Sequence, residues 1–126
     1  MVDIIRRLIV AGMALSLIAG NADQVIEFYD ETVDHARHLA TASDLRSIGN
    51  MLDYHYMRRG RYPRNDRFAQ WLGQNFKENP VHTLGLDHWY QPLVYQADAG
   101  GKTFSLVSAG PDGFINTTDD LRITGP

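Results

Sequence analysis

The first proline in the chain is Pro63, so nothing forces a break in a helix that starts near the N-terminus. From Val25 to about Met57, Ile26, Tyr29, Val33, Ala36, Ala40, Ile48 and Leu52 recur at helical steps and lay one apolar stripe on an acidic cylinder. Gly49 weakens that helix slightly. Gly60 is placed to cap it, with Arg58 and Arg59 near the negative end of the helix dipole. A helix from about residue 4 to 58 would be roughly 80 Å long at about 1.5 Å per residue. A single domain of 126 residues cannot cover that length, so its N-terminal half must meet lipid or other protein.

The beginning of the chain agrees. Arg6 and Arg7 precede an apolar run over residues 8–22, an arrangement that keeps the N-terminus in the cytoplasm and sends the following chain outward. The run is shorter than the roughly 20 residues that span a bilayer comfortably. Two readings stay open: a signal peptide cut after Gly20-Asn21-Ala22, or an uncleaved anchor continuous with the next helix.

Beyond the long helix, Asn65 or Asp66 is placed to cap a short second helix whose Phe68, Trp71, Leu72 and Phe76 form one face against it. After Pro80 the pattern turns to strands, over residues 93–97 and 103–108, joined through Asp98-Ala99-Gly100-Gly101. The chain has no cysteine, which excludes disulfides, thiolate zinc sites and cysteine nucleophiles. Its net charge of -3 argues against a general nucleic-acid binder. Charge is uneven, however: residues 23–53 are acidic, and Arg58, Arg59, Arg61, Arg64 and Arg67 follow as a basic run. That run could hold phosphate, but pairing with acidic stems of neighbouring subunits is the preferred reading.

The candidate site is the loop after the second strand. Pro111-Asp112-Gly113 is followed by Asp119-Asp120, three carboxylates within nine residues of a loop that must double back. Calcium takes about 6–8 oxygens in irregular geometry and would remove the repulsion, whereas magnesium demands near-ideal octahedra. Carbonyls beside the turn, near Ala109 and Phe114, would have to complete the set. On composition alone a solvated Asp-Gly turn fits as well, and the spacing does not match an EF-hand.

Three segments carry a resemblance. Ser43-Asp44-Leu45 with Leu52-Asp53, Tyr56 and Arg61-Tyr62-Pro63 resemble the stem-to-head junction of major pseudopilins of type II secretion systems. Asp87-His88-Trp89-Tyr90-Gln91-Pro92, trailed by Tyr95, resembles that family's Asp-Pro-Trp-Gly-Asn-Pro segment. Ser108-Ala109-Gly110-Pro111-Asp112-Gly113 with Asp119-Asp120 resembles its calcium loop. The resemblance implies an α+β pilin-like fold, a long N-terminal helix packed on a small antiparallel β-sheet. It also implies Ca2+ held by Asp112, Asp119, Asp120 and the carbonyls of Ala109 and Phe114. Residues 1–22 would be the membrane anchor or signal segment, inserted through residues 4–22. Residues 23–126 would form the periplasmic domain, with a helical stem to about 58 and a head over 59–126. The implied role is a structural subunit that self-associates into a helical filament with other pseudopilins at the inner membrane. The alternative is a secreted or tethered calcium-binding module. The apolar segment departs from the family pattern: Arg6 and Arg7 stand where it should begin, and no Glu precedes Glu27.

The five histidines add no catalytic signal. His35 and His38 are three apart on the helix but lack a third ligand at defined spacing, and Ser108 with His88 lacks a nucleophile turn. An enzyme is not expected.

Overall fold

The computed structural model describes residues 1–18, 22–76 and 85–126. Two compact units are present, Met1–Ala36 and Arg37–Pro126. Helix α1 (Val2–Ile18) belongs to the first unit, and helix α2 (Ala22–Arg59) runs from the first into the second. The junction on which an unbroken helix would depend, residues 19–21, lies outside the described residues. Among the described residues, no helix is long and apolar enough to cross a membrane.

In the first unit the expected apolar stripe is largely open to solvent. Val25 is buried, but Ile26, Phe28 and Tyr29 are exposed, as are Val2, Ile4, Leu8 and Val10 of α1.

The second unit holds the core. Leu45, Ile48 and Leu52, at three- and four-residue steps on α2, are 1%, 0% and 0% exposed. Burial of each is worth about 1.5–3 kcal/mol. They meet Phe68, Trp71 and Leu72 of helix α3 (Phe68–Asn75) and the sheet residues Tyr95, Phe104 and Leu106. Helix α2 ends where the sequence indicates: the Gly60 N–H reaches the Tyr56 carbonyl at 2.7 Å, and Arg58 and Arg59 occupy the last turn. The proposed cap of the second helix is not made. Asn65–Arg67 form a 3-10 turn ahead of α3 without a side-chain cap, because the Asn65 side chain serves the sheet instead, its Oδ1 accepting the Ala97 N–H at 2.7 Å.

The sheet has three antiparallel strands in the order β1 (Val94–Ala97), β2 (Phe104–Ser108) and β3 (Leu121–Gly125). The first two match the sequence expectation; the third does not appear in it. Leu121 and Ile123 alternate with Arg122 and Thr124, too short a run to stand out after the acidic loop. Register pairs Tyr95 with Leu106 and Leu106 with Ile123, placing the row over α2. Gly49 explains the close approach: a Cβ there would sit 2.6 Å from Ile123 Cδ1.

Two tyrosines lock the stem end to the sheet. Tyr62 is fully buried, stacks on Tyr56, meets Phe104 edge-on and donates to Asp53 Oδ1 at 2.8 Å. Tyr95 stacks on Phe68 at 4.1 Å between centroids and donates to the Pro63 carbonyl at 2.6 Å.

Candidate functional site

Strand β2 delivers the chain into the acidic loop, and β3 takes it out. The loop doubles back as anticipated, and one oxygen from each of Asp112, Asp119 and Asp120 lies within 4.8 Å of the others. Each carboxylate is held by a loop amide. Asp119 Oδ2 accepts from Asp112 N at 3.1 Å, Asp112 Oδ1 from Phe114 N at 2.9 Å, and Asp120 Oδ2 from Asn116 N at 2.6 Å. Gly110 makes the closure possible. Its φ is +71°, and a Cβ would lie 2.5 Å from the Asp119 carbonyl oxygen.

Thr117 stands at the convergence. Its hydroxyl oxygen is 3.0 Å from the Phe114 carbonyl and 3.1 Å from Asp120 Oδ1, and it also donates to Asp119 Oδ1. One hydroxyl proton can satisfy one of these three acceptors at a time. The Thr117 hydrogen bond foremost, and the Asp112 N–H after it, hold the Asp119 carboxyl below the usual carboxylate range, against a desolvation that pushes the other way. A divalent cation suits this set. Calcium–oxygen distances of about 2.3–2.6 Å put opposed ligands about 5 Å apart, and neighbouring ones closer; the three carboxylate oxygens lie within 4.8 Å of one another. Ala109 is buried directly ahead of Gly110, where β2 ends.

A second loop braces the first. Asp87 is 1% exposed, and its Oδ1 accepts the N–H groups of Trp89 and Gln91, both at 2.9 Å. Its Oδ2 accepts the Ser108 hydroxyl at 2.8 Å, and Ser108 Oγ in turn accepts Gly110 N at 3.2 Å. Next to it, His88 joins α2: its N–H reaches Thr41 Oγ1 at 3.1 Å and its Nε2 lies 3.0 Å from Asp44 Oδ2. Trp89 meets His38 edge-on at 4.8 Å. The helix, the Asp87 loop and the acidic loop are thus joined through side chains.

Each unit also carries a charged surface. In the first, Asp23, Glu27, Asp30 and Glu31 surround Ile26 along α2. In the second, a groove of about 330 Å³ is lined by His55, Arg59, Arg61, Arg64, Arg67 and Trp71, with Pro63 and two glutamines. Burial, then the charge of Arg59, pushes the His55 imidazole below its ordinary value.

The family model for type II secretion system (T2SS), protein G, matches residues 29–125. The chain belongs to this pseudopilin family. Its fold is similar to that of the major pseudopilin from the type 2 secretion system of enterohaemorrhagic Escherichia coli, with a TM-score of 0.55 at 24% identity over 73% of this chain and 86% of that one. No curated protein sequence matches it. A pseudopilin is a structural subunit of the secretion system and not an enzyme. Of the five residues proposed for the metal, the structure brings one oxygen from each of the three aspartates together, and the Thr117 hydroxyl links Asp119 and Asp120 to the Phe114 carbonyl. The pseudopilin loop also depends on residues that sequence reasoning passed over. In the sequence Thr117 stands in an ordinary Thr-Thr pair and Asp87 only within a motif, while Ser108 reads as part of a motif or as a nucleophile without its turn.

Proposed function

We propose that this pseudopilin is a subunit of a periplasmic pseudopilus filament whose head is closed by a calcium ion. The ion would be held by Asp112, Asp119 and Asp120 with the carbonyls of Ala109 and Phe114. The carrying observation is the Thr117 hydroxyl, which lies against Phe114 O, Asp119 Oδ1 and Asp120 Oδ1, three members of that proposed set. Calcium there would act structurally, neutralising three carboxylates and fixing the path from β2 to β3 in a chain without disulfides. Attachment to the inner membrane runs through residues 4–22, with residues 23–126 in the periplasm. What supports it is the Arg6-Arg7 pair in a helix whose Val2, Ile4, Leu8 and Val10 are exposed.

Thermal melting in chelator and in millimolar calcium tests the metal. Calcium raises the melting temperature through mass action on the folded state, by about 2.7 kcal/mol at a hundredfold excess over the dissociation constant. Identical melting in both conditions refutes it. Mass spectrometry of the mature N-terminus tests the anchor: a start at Asp23 would make the chain a released module instead.

A further inference from the structure

The acidic face on α2 and the arginine groove beside α3 serve neither the core nor the metal loop. Asp23, Glu27, Asp30 and Glu31 have no ion-pair partner among the described residues, and the sequence has no Lys or Arg between Arg7 and Arg37. The groove is the opposite case. Arg64 is paired with Asp66 at 3.3 Å, whereas Arg59 and Arg61 have no carboxylate partner among the described residues. Both surfaces are exposed along their charged rims, and both have an apolar centre: Ile26, 53% exposed among the carboxylates, and the Trp71–Pro63 floor of the groove.

We infer that the acidic face of α2 in one copy docks into the arginine groove of a second copy. The inference rests on the filament reading above and names the contact within it. Glu27, Asp30, Glu31 and Asp23 follow three- and four-residue steps, so their carboxylates line one side of a helix. Planar guanidiniums with forked donors match such carboxylates in pairs. A net charge of -3 disfavours a polyanion as the occupant and leaves a complementary segment of the same chain as the better partner. The contact is heterologous: each copy offers one surface and accepts through the other. Each docking therefore leaves one surface of each sign open, which extends an array rather than closing a two-fold dimer.

The cysteine-free sequence gives a direct test in full-length protein kept in its membrane. Two differently tagged variants, Glu27→Cys and Arg67→Cys, are coexpressed and oxidised mildly. The expected product is the disulfide joining the two tags, about tenfold over either homodimer, as summed charge pairs worth about 0–1 kcal/mol each would give. Its yield falls as salt rises from about 0.05 to 0.5 M. In a second arm, Arg59→Glu with Arg67→Glu lowers assembly, followed by a separate Ala36→Cys cross-link. Adding Glu27→Arg with Glu31→Arg to the same chain restores it. Homodimers as abundant as the mixed product would overturn the contact. So would charge reversals that leave the Ala36→Cys cross-link intact, and so would loss of binding to anionic vesicles or DNA with assembly unchanged. In those cases the filament reading stands and only this contact falls. A chain that cross-links through none of these positions overturns both.

Discussion

The Ser108 hydroxyl donates to the buried Asp87 carboxylate across 2.8 Å, fastening the end of β2 to a loop 21 residues away. That carboxylate already accepts two backbone N–H groups, so Ser108 completes its set of donors. Ser108→Ala removes one donor from a buried carboxylate and is expected to cost about 1–3 kcal/mol. Asp87→Ala strands two amides and a hydroxyl and costs more. The double variant should lie close to Asp87→Ala alone, because the two groups act as one unit. Urea titration of the four proteins reads this coupling, and strict additivity would show that the bond contributes nothing.

Tyr90 sits at φ +62°, the left-handed region that favours glycine. Its side chain is 75% exposed, so little burial compensates the strain. A left-handed non-glycine residue costs about 1–2 kcal/mol, part of which glycine returns as chain entropy in the unfolded state. Tyr90→Gly should therefore stabilise the fold by about 0.5–1 kcal/mol, raising the melting temperature by several degrees. A fall in melting temperature would mean that the exposed ring has a partner that the strain argument omits.

These two residues mark the limit of what the sequence discloses. The Ile48 and Leu52 spacing, the Gly60 cap and the first hairpin follow from periodicity and turn chemistry, which are local. The Asn65 cap failed because a non-local acceptor role, toward Ala97, outcompeted a local one. Strand β3 is specified by its pairing with β2, not by its own pattern. In the acidic loop the three aspartates were legible as charge, while Thr117 was not, since its role is defined only once residues 114, 119 and 120 converge on it.

Tyr62 and Tyr95 are expected to limit stability at alkaline pH. Burial above all, and for Tyr62 the Asp53 hydrogen bond, raises both phenols above the ordinary tyrosine value. A raised folded-state pKa means that the stabilisation is complete below about pH 10 and is lost as the pH climbs beyond it. With two such groups the loss approaches about 2.7 kcal/mol per pH unit. Tyr62→Phe should halve that slope. The lowered Asp119 carboxyl has the opposite sign, its contribution present above about pH 4 and lost on further acidification. Unfolding midpoints from pH 2 to 12 check both limbs, and an unchanged alkaline slope in Tyr62→Phe refutes the assignment.

Asp112→Ala and Asp119→Ala are each expected to abolish the calcium-dependent rise in melting temperature, whereas Asp98→Ala should keep it. Asp98 holds the hairpin instead, its Oδ1 accepting from Lys102 N at 2.6 Å and Thr103 N at 3.2 Å. Asp98→Ala should thus lower stability equally with and without calcium, by about 1 kcal/mol. Calcium titration followed by melting separates the two behaviours; a common response in all three variants would leave the aspartates as solvated surface.

The bond from His88 N to Thr41 Oγ1 bridges 47 residues of chain, and the Asp87–Ser108 bond another 21. Contacts of such separation pay their loop-closure entropy late in folding, after local helix and hairpin have formed. They are therefore expected to be absent from the folding transition state. Thr41→Ala and Ser108→Ala should leave the refolding rate nearly unchanged and accelerate unfolding by the whole of their equilibrium effect. The polar ties that carry order from the helix to the acidic loop then act as a brake on unfolding, and they set how long a folded head survives rather than how quickly it forms.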